Sequence, residues 1–138
     1  MSGLMTAVQA KEQNPSVLVV DDSPHMLEVL YEMLTERGYD ITRALGGEAA
    51  LEALSSCHFD LIITDLHMGK VSGMDVLRRA KALWPGTTVI IVTGNSSATH
   101  VIEALRYGVD GYLLKPFTML DLLESISHCF NKRYLVDG

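Results

Sequence analysis

The sequence predicts an α/β domain: a doubly wound five-stranded parallel sheet with five helices divided between its faces. Three observations lead there. Short apolar runs alternate with helix-period patterns along all 138 residues. Three of those runs are almost continuous Val, Ile and Leu, as central parallel strands buried on both faces require. The connections are short, which suits right-handed crossovers returning to one sheet.

The elements follow in order. Strands are expected at residues 17–20, 40–44, 61–64, 88–92 and 111–114. The first helix opens at Ser23 as N-cap with Pro24 at its first position, turns Met26, Val29, Leu30, Met33 and Leu34 inward, and stops at Gly38. The second covers 48–56, with Ala50, Leu51 and Leu54 inward. The third runs from Ser72 or Gly73 to Trp84 and is stopped by Pro85-Gly86. The fourth covers 98–107, with Ala98, Val101, Ile102 and Leu105 as its apolar stripe and His100, Glu103, Arg106 and Tyr107 on the exposed face. The last is capped by Thr118 and presents Leu120, Leu123, Ile126 and Phe130.

In such sheets ligands bind beyond the carboxyl ends of the strands, where strand order reverses. Five residues stand at such ends: Asp21 and Asp22 after the first run, Asp65 after the third, Thr93 after the fourth and Lys115 after the fifth. Alone, Asp22-Ser23-Pro24 would be a polar turn, Lys115 a surface lysine and Thr93-Gly94-Asn95 a loop. Together, three carboxylates in one crevice need a cation. Their hard oxygens suit Mg²⁺, and no Cys/His cluster offers a softer site. His25 and His67 read as solvated or packed rings. An amine, a hydroxyl and a free carboxylate beside such an ion suit phosphoryl transfer onto that carboxylate.

Composition narrows the partners. A formal charge of −6 argues against nucleic acid or an anionic membrane face, and no apolar run approaches the ~20 residues a membrane span needs. Cys57 and Cys129 lack metal or redox spacing and read as buried or half-buried free thiols, which fits a reducing cytoplasm.

The motifs Val20-Asp21-Asp22, Asp65-Leu66-His67-Met68 with Gly73 eight residues beyond Asp65, Val92-Thr93-Gly94, Gly111-Tyr112-Leu113-Leu114 and Lys115-Pro116-Phe117 stand in fixed order. Over residues 16–130 the chain thereby resembles the receiver domain of two-component response regulators. The resemblance implies a flavodoxin-like sheet of order 2-1-3-4-5, with a leader at 1–15, the receiver at 16–131, and a tail or linker at 132–138. It implies that Asp65 accepts a phosphoryl group from a sensor histidine kinase or histidine phosphotransfer protein, so the domain signals and is not a turnover enzyme. Asp21, Asp22, Asp65 and the backbone carbonyl of His67 would hold Mg²⁺. Lys115, joined to Pro116 by a cis bond, would pair with the phosphoryl oxygens, and Thr93 would be drawn toward them. Tyr112 would turn from exposed to buried. The output surface would be the fourth helix, fifth strand and last helix, meeting an output domain, a partner or a second copy.

The chain departs from the family in one loop. Gly69 stands where Pro is usual, which should loosen that loop, and Lys70 adds a cation near its rim. Gly94 replaces the usual Ala or Ser. His67 and Asn95 flank the path of the hydrolytic water, from which intermediate to slow autodephosphorylation is expected. A small Mg²⁺-dependent phosphatase of the haloacid dehalogenase type is one alternative, but it would place Asp-x-Asp after the first strand and need a cap domain. A binding module that kept the fold without the chemistry is another.

Overall fold

The computed structural model describes residues 15–137 except Ser96, with the side chains of 131–137 also outside the description. The strands are β1 (Ser16–Asp21), β2 (Asp40–Leu45), β3 (Leu61–Asp65), β4 (Thr88–Thr93) and β5 (Gly111–Leu114). The helices are α1 (Pro24–Thr35), α2 (Gly47–Ser56), α3 (Gly73–Leu83), α4 (Ala98–Arg106) and α5 (Met119–Asp137). All pairings are parallel and the order is β2-β1-β3-β4-β5, as expected. Strand order therefore reverses between β1 and β3, beside the carboxyl ends that carry Asp21 and Asp65. The expected leader, apart from Pro15, lies outside the described residues. Positions 132–137, expected as tail, continue the backbone of α5.

Successive strand side chains point to opposite faces, and this divides the core in two. Leu18, Val20, Ile62 and Ile91 pack with Leu54, Leu77, Ala80 and Ala104 from α2, α3 and α4. Val17, Val19, Ile63 and Ile90 pack with Leu27, Leu30, Leu34, Leu122 and Ile126 from α1 and α5. Each fully buried Leu or Ile contributes roughly 1.5–3 kcal/mol relative to exposure.

Local chemistry sets the helix starts. Ser23 Oγ accepts the Met26 N–H at 3.2 Å with Pro24 in the first turn. Ser72 and Asp75 form a reciprocal capping box, as do Thr118 and Asp121. At the opposite edge of the sheet Asp110 Oδ2 accepts from Lys81 Nζ and the Val89 N–H, both at 2.8 Å, tying α3 to β4 and β5.

Three expectations need correction. In α4, Ile102 and Leu105 are 55% and 64% exposed, Ala98 is exposed too, and the buried residue is Ala104, flanked by half-buried His100, Val101 and Tyr107. Ala104 is the residue through which this helix joins the buried cluster, so Ile102 and Leu105 are left facing outward. In α5, Leu120 is exposed, and Leu122, Ile126 and Cys129 form the buried stripe. Cys57 is exposed because it caps the end of α2, where the chain leaves in an extended conformation. The loop after β3 takes a backbone conformation that its glycine permits. Gly69 has φ +84, which proline's ring forbids, and Val71 packs into the space left by the missing Cβ of Gly47.

Among the described residues no helix is long and apolar enough to cross a membrane.

Candidate functional site

The parallel register brings the strand ends level, so residues 21, 65, 93 and 115 meet at one edge. One ligand oxygen from each of Asp21, Asp22 and Asp65 lies within 4.8 Å of the others. Asp21 and Asp65 are buried, at 1% and 9% exposure, whereas Asp22 is exposed. Lys115 Nζ stands 3.3 Å from Oδ2 of Asp21 and 3.3 Å from Oδ2 of Asp65. The remaining oxygens are held by backbone amides: Asp21 Oδ1 accepts from Ser23 N–H at 3.0 Å, and Asp65 Oδ1 from Leu66 N–H at 2.7 Å.

The electrostatics follow from burial. Desolvation raises the Asp21 pKa above its ordinary value of 3.8, although the Ser23 amide and Lys115 pull the other way. Burial alone would lower Lys115, but the charges of Asp21 and Asp65 override it and hold the ammonium above its ordinary value. One ammonium thus serves two carboxylates, with the third close by. The excess of negative charge favours a cation.

Two further chain segments shape the crevice. Lys115 N–H donates to the Thr93 carbonyl at 2.8 Å, and the Lys115–Pro116 peptide is cis. Gly73 N–H donates to the Leu66 carbonyl at 2.8 Å, and a Cβ on Gly73 would overlap the backbone carbonyl of Asp65. The eight-residue spacing from Asp65 to Gly73 therefore reflects α3 starting directly against the strand end.

Thr93 is buried, with its hydroxyl turned to Asn95: it donates to the Asn95 carbonyl at 3.2 Å and accepts the Asn95 N–H at 3.3 Å. His67 Nε2 meets the same carbonyl at 2.7 Å. Tyr112 is half-buried against the core cluster shared by α2, α3 and α4. His25 and Lys70 are exposed. The strand-end residues are thus brought together, while Tyr112 lies within β5, three residues before Lys115. The sequence reading missed the two backbone amides and His100, whose ring lies edge-on to His67 at 5.2 Å between centroids. Phasing α4 on Ala104 instead of Leu105 would have placed His100 on the inner side.

Residues 17–127 match the family model described as response regulator receiver domain. The transcriptional regulatory protein ZraR of Escherichia coli O157:H7 is 33% identical over 125 residues, covering 91% of this chain and 28% of ZraR, so the chain spans little more than a quarter of that relative. The chemotaxis protein CheY of Pseudomonas aeruginosa is 36% identical over 119 residues, covering 84% of this chain and 96% of CheY. A CheY-like receiver domain structure from Methanospirillum hungatei superposes with a TM-score of 0.85 at 29% identity, covering 90% of this chain and 98% of that one.

Proposed function

Because the chain belongs to the response regulator receiver domain family, we propose that Asp65 accepts a phosphoryl group from a sensor histidine kinase or histidine phosphotransfer protein. The observation that carries this reading is Lys115 Nζ at 3.3 Å from both Asp21 and Asp65. Asp65 is held by Leu66 N–H through one oxygen, leaving Oδ2 on the Lys115 side. Attack by an Asp65 oxygen on phosphorus forms the acyl phosphate as the P–N bond to the donor imidazole breaks. Lys115 then exchanges a carboxylate contact for the phosphoryl oxygens, and Thr93 turns its hydroxyl from Asn95 toward them.

The donor set fits Mg²⁺: clustered carboxylates, all oxygen, carrying more negative charge than one ammonium offsets. Asp21, Asp22, Asp65 and the His67 carbonyl would hold it. When bound, the ion neutralises charge on the transferred group.

Phosphorylation adds a dianion at one strand end, which biases the segment after β4 and draws Tyr112 inward. The output surface is α4, β5 and α5, where Ile102, Leu105, Leu114, Met119 and Leu120 are exposed. An output domain, a separate partner or a second copy of the chain would meet it there. The domain acts as a cytoplasmic signalling switch, not a turnover enzyme. His67, drawn across to Asn95, covers part of the water path to the acyl phosphate, which slows its hydrolysis; phosphate release from His67→Ala should be faster than from the natural chain.

Acetyl phosphate with Mg²⁺, read by intact mass, tests the assignment. One phosphoryl adduct is expected, and none in Asp65→Asn. No Asp65-dependent adduct would sink the proposal, and turnover of a phosphomonoester would favour a phosphatase.

A further inference from the structure

The Asn95 carbonyl accepts two hydrogen bonds from different parts of the site. Thr93 Oγ1 donates at 3.2 Å from the end of β4, and His67 Nε2 approaches at 2.7 Å from the loop after β3. A carbonyl can only accept, so His67 carries its proton on Nε2 here. The His67 ring also packs in a T-shaped contact with His100 in the first turn of α4, with centroids 5.2 Å apart and the ring planes at 68°. His100 Nδ1 is buried and has no hydrogen-bond partner among the described residues. One side chain from the loop of the phosphoryl acceptor therefore grips both the segment after β4 and the helix that follows it.

We propose that His67 is a positioning residue that latches Asn95, just beyond β4, in the resting arrangement, with the Thr93 hydroxyl held on Asn95. This rests on the phosphoryl-acceptor reading and adds a restraint to it. Drawing Thr93 toward Asp65 removes one donor from Asn95 O and pulls that carbonyl against its bond to His67. The latch opposes the active arrangement before any phosphoryl group arrives, which is distinct from covering the water path afterwards. It acts through Nε2–H, so a side chain with an N–H donor should replace it in part.

The first test uses the full chain without metal or phosphoryl donor. In His67→Ala the Asn95 amide, which donates to Thr93 Oγ1, should exchange roughly two- to ten-fold faster, as expected for loss of one hydrogen bond. ¹⁵N imidazole spectra of the natural chain should show His67 protonated on Nε2. The second test titrates beryllofluoride with Mg²⁺. His67→Ala should bind roughly two- to ten-fold more tightly, and His67→Gln should return toward the natural value. Unchanged Asn95 exchange, or equal or weaker binding by His67→Ala, overturns the latch. Equal tightening in His67→Ala and His67→Gln also overturns it, by assigning the effect to ring bulk. Absence of Asp65-dependent beryllofluoride binding in the natural chain sinks the phosphoryl-acceptor reading instead, and Asn95 exchange still decides the latch.

Discussion

Gly73 begins α3 so close to Asp65 that a single added carbon would overlap the aspartate's backbone carbonyl. The neighbour is main chain, so it cannot turn aside as a side chain could. Gly73→Ala should therefore lower unfolding free energy by about 1–3 kcal/mol, the usual range for overpacking a tight site. Urea denaturation measures this. Phosphoryl uptake at Asp65 should fall as well, because the strand end itself must move.

Gly69→Pro restores the family's usual residue and should nevertheless destabilise. Gly69 sits at φ +84, and proline's ring holds φ near −65°. The loop must refold or carry strain on the order of 1–3 kcal/mol. A denaturation midpoint equal to the natural chain's would show that the loop has no need of that conformation.

Gly94→Ala should act in the opposite direction. A Cβ there would meet Lys115 Cβ at 3.7 Å, an ordinary contact, and the backbone is not left-handed. Restricting the unfolded chain should raise stability by about 0.4–1 kcal/mol. Thermal melts of the two proteins side by side would show it.

Asp21→Asn should stabilise the fold at neutral pH. Burial raises the pKa of Asp21 in the folded state, so the fold disfavours the ionised carboxylate. The linked stability is fully present below the unfolded value, near 3.8, and is lost as pH rises through the raised folded value. The variant's advantage should thus be complete at neutral pH and shrink as pH falls toward 3.8. Lys115, also raised, contributes stability that is lost only in alkali, as pH passes its folded value. Denaturation of both proteins across pH checks the sign. Mg²⁺ should stabilise the natural chain and do so less in the variant.

Leu105→Ala and Leu122→Ala should separate sharply. Leu122 is fully buried between α5 and the sheet, so its truncation should cost about 2–5 kcal/mol. Leu105 is exposed, and its truncation should stay within about 0.5 kcal/mol. Comparable losses would return Leu105 to the core.

The sequence alone determined the element order, the presence of helices on both faces of the sheet and the residues at the strand ends. Each rests on local regularity: a period of two or 3.6, a capping side chain, or a polar residue closing an apolar run. The convergence of Asp21, Asp65 and Lys115 followed once the strands were taken as parallel and level. Only the tertiary structure decided the phase of α4, where Ile102 and Leu105 looked as buriable as any core pair. A helix turns inward the face that fits the space against its neighbours, and here the small side chain of Ala104 fits. The same holds for Gly69, whose backbone is set by the loop it closes, and for the Asn95 carbonyl shared by Thr93 and His67. Those contacts join residues up to 28 positions apart, beyond the reach of any periodicity.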